Sequence, residues 1–358
     1  MEEKIIYKHA RVGGELVDLT VVDGKFAAIG CTDEDGIDLG GRDVFPGLID
    51  IHCHGAMGYD VLGGTEELER MNVYFASRGI TTWYPTTGGS KENILRVMRG
   101  LSLEGVRGAN MPGFHLEGPY LSTEALGAIS ADSVKLPEIE DFAEFDSVKL
   151  ITIAPELPGA LEYIRATKAR VAMGHTAADY ATTMAAIEAG ASCVTHTFNA
   201  MTPLHHREPG VLGAAIDGDI WVQVISDGVH LHPSVVKMLY RTFGKKMILI
   251  SDAVSGTGLP DGVYMKQGKY PRRIVDGTIR TESGRLAGSA SDLYRDVKKA
   301  IEFGIPREDA FYMASTAPAE YMGLNKGRIE VGYDADFIAV DENCDPHTVV
   351  IGGEIFRA

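Results

Sequence analysis

The sequence predicts an α/β protein: a parallel (β/α)8 barrel of the TIM type with a small β-sandwich domain assembled from both chain ends. Three observations predict it. Eight short, nearly continuous apolar runs fall between residues 48 and 252, as expected of strands buried on both faces. Helix-length stretches with recognisable ends separate many of them. Both termini instead alternate polar and apolar residues around turn signals. A doubly wound open sheet is the rival, but no Gly-x-Gly-x-x-Gly follows the first apolar run, so the barrel is preferred. A length of 358 residues accommodates a barrel with such an appendage.

Taken in order, residues 1–43 read as short strands at Lys4–Lys8, Glu15–Val22 and Lys25–Ile29, with Asp23-Gly24 marking a hairpin. The barrel strands are expected at Leu48–Cys53, Ile80–Tyr84, Gly113–Glu117, Val148–Ala154, Arg170–Gly174, Cys193–Thr197, Trp221–Ser226 and Met247–Asp252. Helical patterns cover Thr65–Arg78, Ser90–Arg99, Ala178–Ala189 and Ser234–Phe243, and each stops at a glycine. Two long segments, 119–147 and 255–284, break the alternation after the third and eighth strands, and the second carries a hairpin at Ile274–Thr281 turning at Asp276-Gly277. Long loops on this face of a barrel are more often functional than decorative. Helices at Ser289–Phe303 and Arg307–Met313 lead to an alternating tract over 327–341 and strands near Thr348–Ile351 and Glu354–Arg357. Neither terminal β segment is large enough to be stable alone, so they are expected to pair. The domains are then 1–44 with 326–358, and 45–325.

A net charge of −16 argues against a nucleic-acid partner, which needs a basic face. It leaves room for an anionic small substrate held by a local cluster of Arg and His. No apolar run approaches the roughly 20 residues of a membrane span, and the charged start Met1-Glu2-Glu3-Lys4 has no apolar stretch behind it. Cys31, Cys53, Cys193 and Cys344 are widely spaced, which reads as reduced thiols in a cytoplasmic protein.

The chemistry is concentrated at the ends of the expected strands, where barrel enzymes build their sites. His52 and His54 share one face of the first strand because strand side chains alternate. Glu117 ends the third strand, His175 follows the fifth, His196 lies on the sixth and Asp252 ends the eighth. For a lone His-x-His, a core histidine beside a loop histidine would be as good a reading. With four imidazoles and two carboxylates converging on one mouth, that reading needs six independent coincidences, and the metal reading is strongly preferred. All-N/O ligation suits Zn, Fe(II), Co or Mn. Six ligands exceed one tetrahedral ion, which leaves two ions sharing Glu117, or one ion with some residues in catalytic roles. Asp252 is the residue best suited to chemistry, since a carboxylate beside a metal can take a proton from water and pass it to a leaving group. Cys53 points to the opposite face, and His115 is expected to hydrogen-bond behind the ligands rather than to ligate.

The Pro46-Gly47-Leu48-Ile49-Asp50 strand leading into His-x-His, with the downstream His, His and Asp, resembles the amidohydrolase superfamily of metal-dependent barrel hydrolases. Gly113-Phe-His-Leu-Glu117-Gly-Pro-Tyr120, Met173-Gly-His175-Thr176, Thr195-His196-Thr-Phe-Asn199-Ala200-Met201 and Arg207-Glu-Pro-Gly210 narrow it. With Ser226-Asp-Gly-Val-His230, Ser251-Asp252-Ala253 and Leu286-Ala-Gly-Ser289, they resemble the N-acetylglucosamine-6-phosphate deacetylase family from about residue 45 to the end. The resemblance implies hydrolysis of the acetamide of an N-acetyl amino-sugar phosphate, most plainly N-acetylglucosamine 6-phosphate. It implies that Glu117, His175 and His196 hold one divalent metal, that His52 and His54 permit a second, and that Asp252 is the general base and acid. Asn199, Ala200, Arg207 and His230 would receive the sugar phosphate, and Leu286, Ala287 and Gly288 would close over the substrate. It also implies a homodimer in which Arg207 reaches the neighbouring subunit's site.

One stretch departs from the family. Where its members usually carry Gly-Ala-His, with the histidine expected to polarise the substrate carbonyl, this chain has Gly127-Ala128-Ile129. Isoleucine cannot donate, and such a donor is worth about 2.7–4 kcal/mol. Either a second metal does that work or the substrate differs. The rivals are therefore an amidohydrolase acting on N-acetylgalactosamine 6-phosphate, an N-acyl amino acid or a cyclic amide, and a non-catalytic barrel that senses sugar phosphates. A pure sensor has no use for Asp252 beside a metal.

Overall fold

The computed structural model describes residues 3–266 and 270–357. The N-terminal segment gives strands β1 (Lys4–Val12), β2 (Glu15–Val22), β3 (Lys25–Gly30), β4 (Ile37–Asp38) and β5 (Asp43–Pro46). The barrel begins with β6 (Leu48–Cys53), whose six residues are all buried. A two-strand hairpin, β7 (Gly55–Ala56) and β8 (Tyr59–Asp60), follows at its mouth. The remaining barrel strands are β9 (Ile80–Gly88), β10 (Phe114–Glu117), β11 (Val148–Ile153), β12 (Arg170–Met173), β13 (Cys193–Val194), β14 (Trp221–Val224) and β15 (Met247–Leu249).

These eight form one parallel sheet in the order β15-β14-β13-β12-β11-β10-β9-β6. The ring nearly closes. Cys53 bridges Ala253, and the Asp252 and His54 amides donate to the His52 and Ala253 carbonyls at 3.0 and 2.7 Å. All eight barrel strands therefore lie where the apolar runs place them, although β13 is only two residues long because the chain turns at His196.

The helical layer contains α1 (Thr65–Ser77), α2 (Lys91–Gly100), α3 (Ala160–Ala166), α4 (Tyr180–Ala189), α5 (Gly210–Asp217), α6 (Pro233–Phe243), α7 (Leu293–Glu302), α8 (Arg307–Ala314) and α9 (Thr316–Met322). Side-chain caps set several starts: Ser90 accepts from the Asn93 amide, Asp179 from Thr182 and Asp292 from Arg295. The helix expected from Ser289 begins four residues later because Ser289 ends a strand and Asp292 is the cap. Helices α3, α5 and α9 had no sequence expectation. In α5 the buried residues run without interruption from Gly210 to Ala215, so the helix has no polar face to reveal its period.

The insert after β15 is larger than the single expected hairpin. It is a four-stranded antiparallel sheet of β16 (Gly262–Lys266), β17 (Tyr270–Val275), β18 (Thr278–Thr281) and β19 (Leu286–Ser289). Its central turn is the one anticipated, with Val275 opposite Thr278 across Asp276-Gly277.

At the C-terminus come β20 (Phe337–Val340), β21 (Pro346–Ile351) and β22 (Glu354–Arg357). The alternating tract 327–341 yields only β20. Its earlier half is a turn in which Asp334 binds Lys25 at 2.6 Å and Asp336 accepts from the Gly352 amide at 2.6 Å. Strands from both ends pair as β22-β21-β20-β5-β1-β2-β3, with β4 on β1, so each terminal segment completes the other's sheet. Tyr7, Phe26 and Phe337 cluster in its core, Tyr7 lying edge-on to Phe337 at 5.0 Å.

Candidate active site

The cavity at the C-terminal ends of the barrel strands has a volume of about 970 Å³. Among its lining residues are His54, Glu117, His175, His196 and Asp252, and His52 lies buried directly behind His54. The six candidate ligands are thus brought together. They form two groups, His52–His54–Asp252 and Glu117–His175–His196, each with ligand atoms inside 4.8 Å of one another. Glu117 joins them. Its Oε1 lies 3.1 Å from Nε2 of both His175 and His196 and 3.3 Å from Nε2 of His52, while Oε2 lies 3.3 Å from Nε2 of His54. Asp252 Oδ1 is 3.5 and 3.4 Å from the Nε2 atoms of His52 and His54.

Local structure aims these atoms. His175 Nδ1 donates to the Ala125 carbonyl at 2.9 Å, and His52 Nδ1 to Gln223 Oε1 at 3.3 Å. In a neutral ring that leaves the inward Nε2 as a lone pair. Nε2 atoms of His175 and His196 stand 3.1 Å apart, and those of His52 and His54 3.3 Å apart. Neutral imidazole lone pairs that close repel unless a cation lies between them, so the donor set fits divalent metal. His175, His196 and Asp252 also have left-handed backbones, at φ 47°, 26° and 48°. Side-chain-bearing residues rarely adopt that conformation, and it turns all three abruptly into the mouth.

The electrostatics follow from burial opposed by partners. Without a cation between them the inward Nε2 atoms can carry protons instead: burial works to raise the Glu117 carboxyl, but the charges and hydrogen bonds of histidines so protonated, His175 foremost, overcome it and hold it well below the usual range. Asp252 is likewise buried yet held low by His52 and His54. His115 stands apart. Its nitrogens bond Thr86 and Thr152 at 3.2 and 2.9 Å, and its ring packs edge-on to His52 at 4.5 Å. It buttresses the cluster without touching Glu117 by a hydrogen bond.

The other expected site residues divide. Ala128, Ile129, Asn199, Ala200, His230, Leu286, Ala287 and Gly288 all line the cavity. His230 is held by Asp227, whose Oδ2 is 2.7 Å from its Nδ1 and also accepts from Ser289 at 3.0 Å. Burial would lower the His230 pKa, but the Asp227 carboxylate raises it. Arg207 is not in the cavity of its own chain; it is exposed, with Nη1 2.6 Å from His206 Nε2. Reading the sequence missed Gln223, Arg272, Thr281 and Arg285. A glutamine inside the apolar run Trp221–Val224 was the available signal for the first, since it must face a polar partner. The other three depend on the pairing of the insert.

A family model for the amidohydrolase family matches residues 44–356. The chain belongs to the amidohydrolase family. Among its amidohydrolase relatives, the N-acetylglucosamine-6-phosphate deacetylase of Vibrio furnissii is 38% identical over 328 residues, covering 86% of this chain and 82% of that protein. The N-acetylgalactosamine-6-phosphate deacetylase of Escherichia coli O157:H7 is 32% identical over 354 residues, covering 94% of each. A solved structure of a mutant N-acetyl-D-glucosamine-6-phosphate deacetylase from Mycobacterium smegmatis, in complex with N-acetyl-D-glucosamine-6-phosphate, superposes with a TM-score of 0.91. That pair shares 31% identity over 99% of this chain and 100% of the other. Among the described residues of this amidohydrolase, no helix is long and apolar enough to cross a membrane.

Proposed function

We propose that this amidohydrolase removes the acetyl group from N-acetylglucosamine 6-phosphate, giving glucosamine 6-phosphate and acetate. The observation that carries the reading is the pair of imidazole–carboxylate groups sharing Glu117 at the base of a cavity that also contains Asn199, Ala200 and His230. His52, His54 and Asp252 would hold one divalent ion and Glu117, His175 and His196 another, of Zn, Fe, Co or Mn type. Bound there, such an ion supplies Lewis-acid polarisation of the amide and lowers the pKa of water.

The chain's own residues do the rest. Asp252, kept ionised by His52 and His54, accepts the proton of the attacking water. The C–N bond then breaks, and Asp252 returns that proton to the departing nitrogen, giving the amine and acetic acid, which ionises to acetate as the amine takes up its proton. His230, whose protonated form Asp227 favours, offers a donor to the substrate's anionic end. Arg207, exposed beyond its own cavity, is placed as a residue offered to a second subunit would be, and on that ground we take the working unit to be a homodimer. Residues 45–325 would be the catalytic domain, with 1–44 and 326–358 forming the supporting one. A cytoplasmic setting, where unpaired thiols persist, goes with this reading.

The test is acetate release from N-acetylglucosamine 6-phosphate, with its galactosamine epimer and unphosphorylated N-acetylglucosamine alongside. Fast turnover of the phosphorylated glucosamine sugar is expected. Preference for the epimer would move the substrate within the family, and turnover of neither phosphate ester would overturn the reading.

A further inference from the structure

The insert places two arginines on the cavity wall. Arg272 on β17 lies directly opposite Thr281 on β18, and the Thr281 amide donates at 2.9 Å to the Arg285 carbonyl on the next connection. The three form one row across adjacent chain segments, and all three line the same cavity as His54, Glu117 and Asp252. Neighbouring strands lie about 4.8 Å apart, so the outer two backbones stand roughly 10 Å from each other, within the combined reach of two arginine side chains on one ion.

Neither guanidinium has a carboxylate partner among the described residues. Arg272 is partly buried and, among the described residues, its side chain donates only to the Pro271 carbonyl at 3.1 Å, while Arg285 donates to the Gly127 carbonyl at 3.2 Å. Among the described residues neither forms an ion pair, although Asp60 and Asp132 line the same cavity. Each guanidinium carries five N–H donors, so most of this fork geometry is unused. A partly buried charge without a counter-ion is costly, and burial lowers the Arg272 pKa in consequence. The cavity is thus bipolar: carboxylates and imidazoles at one end, guanidiniums with no ion pair among the described residues on the insert.

We propose that Arg272 and Arg285 form an in-chain clamp for the phosphate of the substrate, so that this protein selects phosphorylated sugars through its own insert as well as through His230. This rests on the sugar-phosphate reading above. Through its bond to Gly127, Arg285 also ties the clamp to the loop that carries Ala128 and Ile129.

The experiment compares wild-type protein with Arg272→Gln and Arg285→Gln by steady-state acetate release from N-acetylglucosamine 6-phosphate and from N-acetylglucosamine. Each variant is expected to lose about 10- to 100-fold in kcat/KM for the phosphate ester, mostly in KM, with less than about a threefold change for the unphosphorylated sugar. The second substrate doubles as a control for folding. Equal losses on both substrates, or no loss on either, would overturn the clamp while leaving the deacetylase reading intact. Calorimetric titration with inorganic phosphate separates the two ideas. If wild-type protein does not turn over the phosphate ester, the substrate reading fails, and weaker phosphate binding in Arg272→Gln would still support the anion site. Unchanged phosphate binding would remove it.

Discussion

Glu117 is the residue on which both candidate metal groups depend, and replacing it should distinguish one shared centre from two independent ones. In Glu117→Gln the side chain keeps its shape but loses its charge and one acceptor oxygen. Four contacts of 3.1–3.3 Å to His175, His196, His52 and His54 are altered at once. One group would fall from three ligands to two imidazoles and a weak amide, and the other would lose the anion that bridges to it. Disturbing only the outer partners of metal ligands costs about 10–100-fold in affinity, so loss of a shared ligand should cost at least about 100-fold. His54→Asn is the control, because it strips a ligand from the His52–His54–Asp252 group alone. Elemental analysis after dialysis against a graded chelator series reads the result. Wild-type protein should hold about two ions, His54→Asn about one, and Glu117→Gln none at chelator levels the others survive. Retention of wild-type metal by Glu117→Gln would refute the bridging role, and identical losses in the two variants would refute the division into two groups.

Asp252→Asn should lower kcat by about 10²–10⁴ with KM changed less than about threefold, measured by acetate release; an unchanged kcat would remove Asp252 from proton transfer. The raised pKa of His230 means its charge is present at low pH and is lost as pH rises through that elevated value. In Asp227→Asn burial dominates and lowers the imidazole pKa, so KM for the phosphate ester should rise severalfold over wild type at pH 7, and the gap between the two should narrow as pH falls. Phe337→Ala empties the ring contacts with Tyr7 and Phe26 that join the two chain ends, and should cost about 3–5 kcal/mol in denaturant unfolding. If a second ion does the work of the donor absent at Ile129, His54→Asn should cost kcat about 10²–10³-fold, and adding Ile129→His should recover part of it.

The legible part of this protein is the part written in local periods. A strand buried on both faces reads as an unbroken apolar run, and a candidate ligand at its end stands where the run stops, which is why the convergence of His52, His54, Glu117, His175, His196 and Asp252 could be read without coordinates. Where a residue's meaning depends on its partner across a sheet, nothing nearby in the chain announces it. Arg272 and Arg285 sit thirteen positions apart in a tract whose composition says only that it is polar, and the register of β17 on β18 is what sets them in one row. The same holds for 327–341, where alternation looked like strand but Gly332, at φ 93°, breaks it into a turn that the Lys25 and Gly352 contacts then fix. Helix α5 fails for the opposite reason: buried through its first six residues, it carries no contrast between faces for a period to show. The residues grouped as candidate metal ligands all come from the barrel and its strand ends, whereas those proposed to receive the phosphate are divided between the strand ends, at His230, and the insert, at Arg272 and Arg285. A change of register in the insert would therefore move part of the phosphate contacts while leaving the candidate ligands in place, so substrate preference should respond to insert variants that leave metal content unchanged.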